Sequence, residues 1–257
     1  MPSNEPYPGT QAVMRAVALL KAFTDAQPEL GLTELARAAG LNKTTAFRML
    51  TALESAGLIA KNHETDAYRL GPEAISLGGR AIRANHLHLA SRPELEALAQ
   101  KTGETATLEV LTGGETLILD EVLSHYFIGA TPSIGTRWPA HATSTGKVML
   151  ADLPEDRLEA VLSGRLAKPT ANTIASQPAL KRELARVREQ GYAVGDEELE
   201  VGFVALGAPV RNHEGRVVAA ISVGGPGVRL TSERIEELAP RVLQAADRIS
   251  KRMGYIK

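Results

Sequence analysis

Apolar and polar positions in the first 71 residues change spacing in a fixed order. Val13, Val17, Leu20 and Phe23 recur at three- and four-residue steps, which predicts a helix over 11–26. Leu30 to Leu32 read as a short extended piece. Thr33 stands where an N-cap belongs and predicts a helix over 34–39 that Gly40 closes. Asn42 caps a third helix, which runs to about Ala56 and stops at Gly57. Two strand-like runs, 58–61 and 67–70, flank a polar turn at 62–66. Helix, turn, helix and hairpin in this order make a winged helix-turn-helix, which offers its second motif helix to the DNA major groove.

Gly71-Pro72 breaks the pattern. Helical spacing returns over 72–85 and 87–102. From Ala106 the chain shifts to short apolar runs split by glycine and charge: TATLEVL, TLILDEVL, YFIGATP, VALGAPVR and RVVAAISVGG. Helices are expected at about 145–151, 154–162, 177–190 and 232–253. Hairpins over 107–122 and 203–223 predict a central, mostly antiparallel sheet. The expected class is α/β (α+β), divided into a winged helix-turn-helix at 10–71, a linker helix at 72–86 and a second domain at 87–257.

A 100° step per residue sorts the third helix into two faces. Ala46, Met49, Leu50, Leu53 and Ala56 fall together and should pack inward. Thr44, Phe47, Arg48, Thr51 and Ser55 fall opposite. An aromatic ring on the polar face suits contact with a thymine methyl, and Thr44 and Arg48 suit phosphates or base edges. Lys43 in the first turn is placed for a phosphate. Thr33 and Thr45 are donors that could serve phosphates or simply cap and pack. Thr51 lies on the outward face, and Lys61 and Arg69 on the wing can reach the adjacent backbone. Glu64 and Asp66 keep the wing tip away from it.

Composition trims the alternatives. No run approaches the roughly 18 apolar residues of a membrane span, so no membrane partner is expected. The N-terminus lacks a signal-peptide pattern, and residues 1–10 are expected to be disordered. There is no cysteine, which removes disulfides, thiol chemistry and Cys-based zinc sites and fits a reducing cytoplasm. The net charge of −1 gives no bulk attraction to nucleic acid. Seven basic residues up to position 71 (Arg15, Lys21, Arg37, Lys43, Arg48, Lys61, Arg69) face seven acidic ones, so DNA affinity must come from charge placement.

Enzyme signatures fail on inspection. A Walker loop ending at Gly146-Lys147 would need glycine at His141 and Ser or Thr at Val148. A nucleophile elbow at Ser144 would need glycine at Ala142. His86 and His88 are two apart and share no helix face, and the acidic run Asp196, Glu197, Glu198 and Glu200 reads as a solvated loop. No metal and no cofactor are expected. The remaining rivals are a winged helix used only for protein contacts and a GAF-like enzyme.

The segments LNKTTAFRMLTALESAGLI, YRLGPEAISLG, PAHATSTGKVMLA and GYAVGDEELEVGFVALGAPVRN resemble the IclR family of bacterial transcriptional regulators, over about residues 12–252. The resemblance implies a winged helix-turn-helix, a linker helix and a GAF-like effector-binding domain. It also implies dimers or tetramers on a double-stranded operator and a small-molecule effector. In HATSTGKVML the residues Thr143 and Ser144 precede a short helix, whose N-terminus is an anion site. Gly146 lies in its first turn. By resemblance the effector contacts map onto Ser144, Thr145, Asp196, Ala205, Ser222 and Gly224, and Trp138 is a candidate wall. Many relatives carry cysteine where this chain has Ala205, and the smaller residue makes room for a larger or aromatic acid.

Overall fold

The computed structural model describes residues 9–124 and 134–256. The first eight residues and the run 126–132, which the spacing reads as extended, lie outside the described residues. Two compact units divide the chain, Met1–Ala84 and Asn85–Lys257.

The first unit contains α1 (Gln11–Leu20), α2 (Leu32–Ala38), α3 (Lys43–Ser55), a hairpin of β1 (Ile59–Lys61) and β2 (Tyr68–Leu70), and α4 (Pro72–Arg83). The helix expected to reach residue 26 stops at Leu20, because the chain turns at Lys21 and Ala22, and Thr24 then pairs with Gln27. Thr33 is not a cap. Leu32 already belongs to α2, Gly31 is the N-cap, and Glu34 Oε2 accepts the Gly31 N–H at 2.8 Å. Glu34 thus makes the half of a capping box that closes back on the N-cap N–H, and the glycine, with no side chain, leaves the other half unmade. Asn42 does cap α3, its Oδ1 accepting the Thr45 N–H at 2.8 Å. Between α2 and α3, Gly40 takes a φ of +64°, a conformation that suits glycine.

Leu19, Leu35, Leu50, Leu53, Ile59 and Tyr68 form the core of this unit. Each such side chain contributes about 1.5–3 kcal/mol relative to leaving it in water. Leu30 exchanges two backbone hydrogen bonds of 2.9 Å with Tyr68 and so ties the extended piece to the hairpin. Ala56, expected inside, is exposed as the residue that ends α3.

The second unit opens with α5 (His86–Thr102). Its strands are β3 (Thr105–Thr112), β4 (Glu115–Val122), β5 (Arg137–Pro139), β6 (Ala193–Asp196), β7 (Phe203–Arg211) and β8 (Val217–Pro226). They form one sheet in the order β5-β4-β3-β8-β7-β6, with every neighbouring pair antiparallel. The expected hairpins are β3–β4 and β7–β8. The edge strands β5 and β6 were not foreseen; at three and four residues they are too short to show a period.

The remaining helices are α6 (Ser144–Asp152), α7 (Glu155–Leu162), α8 (Gln177–Gln190) and α9 (Ser232–Arg252). One core joins Leu95 and Leu98 of α5 and Leu238, Val242 and Ile249 of α9 to Leu108, Leu206 and Ile221 of the sheet. A second core gathers α6, α7 and α8 around Leu150, Leu158 and Leu184, and it includes Ala193 and Ala220. The alternation of strand side chains separates these two cores.

Candidate functional site

The outward face of α3 is built as its spacing predicts. Ala46, Leu50 and Leu53 are buried, whereas Lys43, Thr44, Phe47, Arg48, Thr51 and Ser55 are exposed. Phe47 keeps 50% of its surface in contact with solvent. Other apolar side chains of this unit are exposed too, Val13 and Ile75 among them, but Phe47 is the one that stands on the polar face of α3. Thr51 Oγ1 donates to the Phe47 carbonyl at 3.0 Å, so its proton is engaged and only its lone pairs face outward. Thr45 is half-buried under the Asn42 cap and stands back from this face. Thr33 sits exposed in the first turn of α2 with its hydroxyl released from capping.

The wing differs from expectation in one residue. Lys61 turns onto Asp66 across the hairpin at 2.7 Å, and its ammonium also lies 5.8 Å from the Tyr68 ring centre. The Asp66 carboxylate raises the Lys61 pKa, and Lys61 lowers that of Asp66. The lysine charge is therefore committed within the hairpin, while Arg69 is exposed. Lys43 and Arg48 are exposed as well.

The second unit holds a cavity of about 80 Å³ against the sheet face that carries α6. Strand register explains its lining. Thr105, Thr107 and Glu109 alternate along β3 toward the cavity, while Ala106 and Leu108 face the core with α5 and α9. Thr107 lies opposite Ser222, Thr105 opposite Gly224, Gly224 opposite Ala205 and Ala205 opposite Gly195. A bulge at Leu108/Glu109 pairs Glu109 with Ile118 and Thr107 with Glu121, so residues three apart on β4 line one cavity. Trp138, Leu199, Glu200 and Phe203 supply further wall.

At the amino end of α6, Thr143 Oγ1 accepts the Gly146 N–H at 3.0 Å. Ser144 and Thr145 reach the cavity; Gly146 does not, and it serves another purpose. A Cβ on Gly146 would lie 2.0 Å from the Ala140 carbonyl oxygen, so glycine lets the 3-10 turn Ala140–Ala142 cross α6. Gly195 and Gly207 allow a similar approach of the sheet to Ser144 and Thr145.

Of the expected ligand contacts, Trp138, Ser144, Thr145, Ala205, Ser222 and Gly224 line the cavity together. Asp196 does not. It is exposed at the end of β6 beside a separate depression, because its neighbour Gly195 takes the inward position and alternation turns Asp196 away. The loop after it is not simply solvated either. Glu198 is buried and takes a 2.5 Å ion pair from Lys147 of α6, a lysine 1% exposed that also donates to the Val194 carbonyl at 2.6 Å.

Among the lining residues that sequence reasoning missed, the most consequential is Glu109, 6% exposed in the cavity wall. Its Oε1 accepts from Thr107 Oγ1 at 2.9 Å and its Oε2 from Thr145 Oγ1 at 2.7 Å; Thr107 Oγ1 is itself 2.8 Å from Ser222 Oγ. Burial raises the Glu109 pKa above the ordinary value, against the opposing pull of the Thr145, Thr116 and Thr107 hydroxyls. The signal was present in the sequence: Thr105, Thr107 and Glu109 form a polar row on one face of a strand.

Comparison with known proteins agrees with this architecture. Residues 12–63 match the IclR helix-turn-helix domain, and residues 79–251 match the bacterial transcriptional regulator IclR C-terminal domain. The HTH-type transcriptional regulator XynR of Escherichia coli is 34% identical over 249 residues, covering 96% of this chain and 99% of that protein. A solved IclR transcriptional regulator from Alicyclobacillus acidocaldarius superposes with a TM-score of 0.85 at 29% identity, over 95% of this chain and 98% of the other. An IclR homolog from Microbacterium hydrocarbonoxydans, solved in complex with 4-hydroxybenzoate, gives a TM-score of 0.81 at 26% identity over 94% and 98%. Among the described residues no helix is long and apolar enough to cross a membrane. With a helix-turn-helix that leaves an aromatic ring in water and a sheet-bound cavity in a second unit, this chain belongs to the IclR family of bacterial transcriptional regulators.

Proposed function

We propose that this regulator binds a double-stranded operator through Lys43, Thr44, Phe47, Arg48 and Thr51 of α3, with Thr33 and Arg69 touching the flanking backbone. The exposed Phe47 ring carries this reading. Binding at a thymine methyl removes the ring from water, and the surrounding hydroxyls and arginine supply polar contacts. Lys61 contributes less than the sequence suggested, because its charge is already paired.

The division of labour we propose gives residues 10–71 to DNA, 72–86 to a linker helix and 87–257 to the effector. The chain acts as a homo-oligomer, dimer or tetramer. Exposed apolar side chains on α1 (Val13, 62%) and α4 (Ile75, 77%) support self-association. The ligand is a small organic acid, and an aromatic one suits the Trp138 and Phe203 walls and the small Ala205. The structural relative that holds 4-hydroxybenzoate supports this class. In this reading the cavity holds its ligand and transforms nothing. The site of action is the cytoplasm, where the operator is.

The effector shifts DNA affinity only by favouring one quaternary arrangement over another. A thermal-melting screen of aliphatic and aromatic acids tests this. A true effector raises the melting temperature by mass action and changes operator affinity. Acids that stabilise the protein while leaving DNA affinity untouched would remove the regulatory link.

A further inference from the structure

Glu109 is bonded to a threonine of β3 and to one of α6. It is a buried carboxyl in the wall of a ligand-sized space, and among the described residues no lysine, arginine or histidine lines that space. Glu121 and Glu200 line it too, so acidic groups there have no basic counterweight. Buried charges are ordinarily paired. The Ser222, Thr107, Glu109 and Thr145 chain of hydrogen bonds ends at the Glu109 oxygens, which accept from both threonines. A carboxylate offers about four acceptor sites, more than the Thr107, Thr145 and Thr116 hydroxyls fill.

We propose that Glu109 is the specificity-determining residue of the cavity and that it selects ligands presenting a hydroxyl to it. The proposal rests on the reading of the cavity as a small-acid site. Glu109 satisfies its remaining acceptor capacity with the ligand hydroxyl, and a ligand lacking that donor leaves a buried acceptor unpaired. A second ligand carboxylate in the same place meets repulsion.

The experiment uses matched pairs of acids: 4-hydroxybenzoate with benzoate, 3-hydroxybenzoate with benzoate, and lactate with propionate. Trp138 is the single tryptophan of the chain and lines the cavity, so its fluorescence reports occupancy, with thermal melting as a second readout. In the full-length wild type at least one hydroxylated member should bind about 10- to 100-fold tighter than its partner, the cost of an unmet hydrogen bond to a charged group. Glu109→Gln replaces one acceptor with a donor, and Glu109→Asp withdraws the carboxylate; each should reduce that preference to about threefold or less. Pairs bound equally by the wild type, or a preference that survives in both variants, would overturn the proposal and leave the small-acid reading standing. If no acid changes either readout in the wild type, the small-acid reading fails and takes this inference with it.

Discussion

Lys147→Met should destabilise the second unit by about 3–5 kcal/mol, because it removes one partner of a buried ion pair and strands the other. Lys147 is fully buried, with Glu198 at 2.5 Å and Glu183 at 3.3 Å. Glu183 has a second partner in Arg186 at 2.8 Å. Burial works to raise the Glu183 pKa, but its contacts with Arg186 and Lys147 outweigh that and hold it below the ordinary value. Glu198 has no such reserve, and its Oε2 already lacks a hydrogen-bond partner. Loss of the lysine therefore leaves an uncompensated carboxylate. The double variant Lys147→Met/Glu198→Leu should recover most of the loss, since an apolar pair costs little where a charged pair stood. Urea unfolding followed by Trp138 fluorescence isolates this unit. A single variant within about 0.5 kcal/mol of wild type would show that the ion pair does not hold the loop.

Gly146→Ala should be of similar severity for a different reason. The new Cβ would stand 2.0 Å from the Ala140 oxygen and 2.5 Å from its carbonyl carbon, all of it backbone. Overpacking typically costs about 1–3 kcal/mol and more where the neighbour cannot yield. Relief requires α6 to shift away from the 3-10 turn, which moves Ser144 and Thr145 out of the cavity wall. Stability and ligand affinity should fall together. Gly164→Ala is the control, because nothing lies within 4 Å of its added Cβ. The same unfolding measurement should place it within about 0.5 kcal/mol of wild type, and a Gly146→Ala protein that matched it would refute the crowding argument.

Some of this was readable in the sequence because it depends on local rules. The faces of α3 follow from helical period alone, and Asn42 and Gly40 act through contacts within a few residues. The Thr33 error came from the same rules: glycine is itself an accepted N-cap residue, and Glu34 three residues on closes back on its N–H. The cavity was half legible. Six of its predicted residues meet there, yet Asp196 pointed away because one residue of strand register reverses a side chain. β6 was too short to reveal that register. The β4 bulge that brings Ile118 and Glu121 to one face depends on pairing between strands and leaves no local trace. Lys147 and Glu198 are 51 residues apart in sequence, so the lysine looked like part of a failed phosphate loop and the glutamate like a solvated charge.

In the proposed function the exposed face of α3 reads a base sequence. Its most direct test is fluorescence anisotropy of wild type and Phe47→Ala on a duplex from the gene's own upstream region and on a random duplex, repeated across a salt series. Steep salt dependence is expected for both proteins from phosphate contacts. The variant should lose about 1–3 kcal/mol on the operator, confined to one T·A position, with random DNA unaffected. Equal loss on operator and random DNA, or no operator-specific binding by the wild type, would contradict that function.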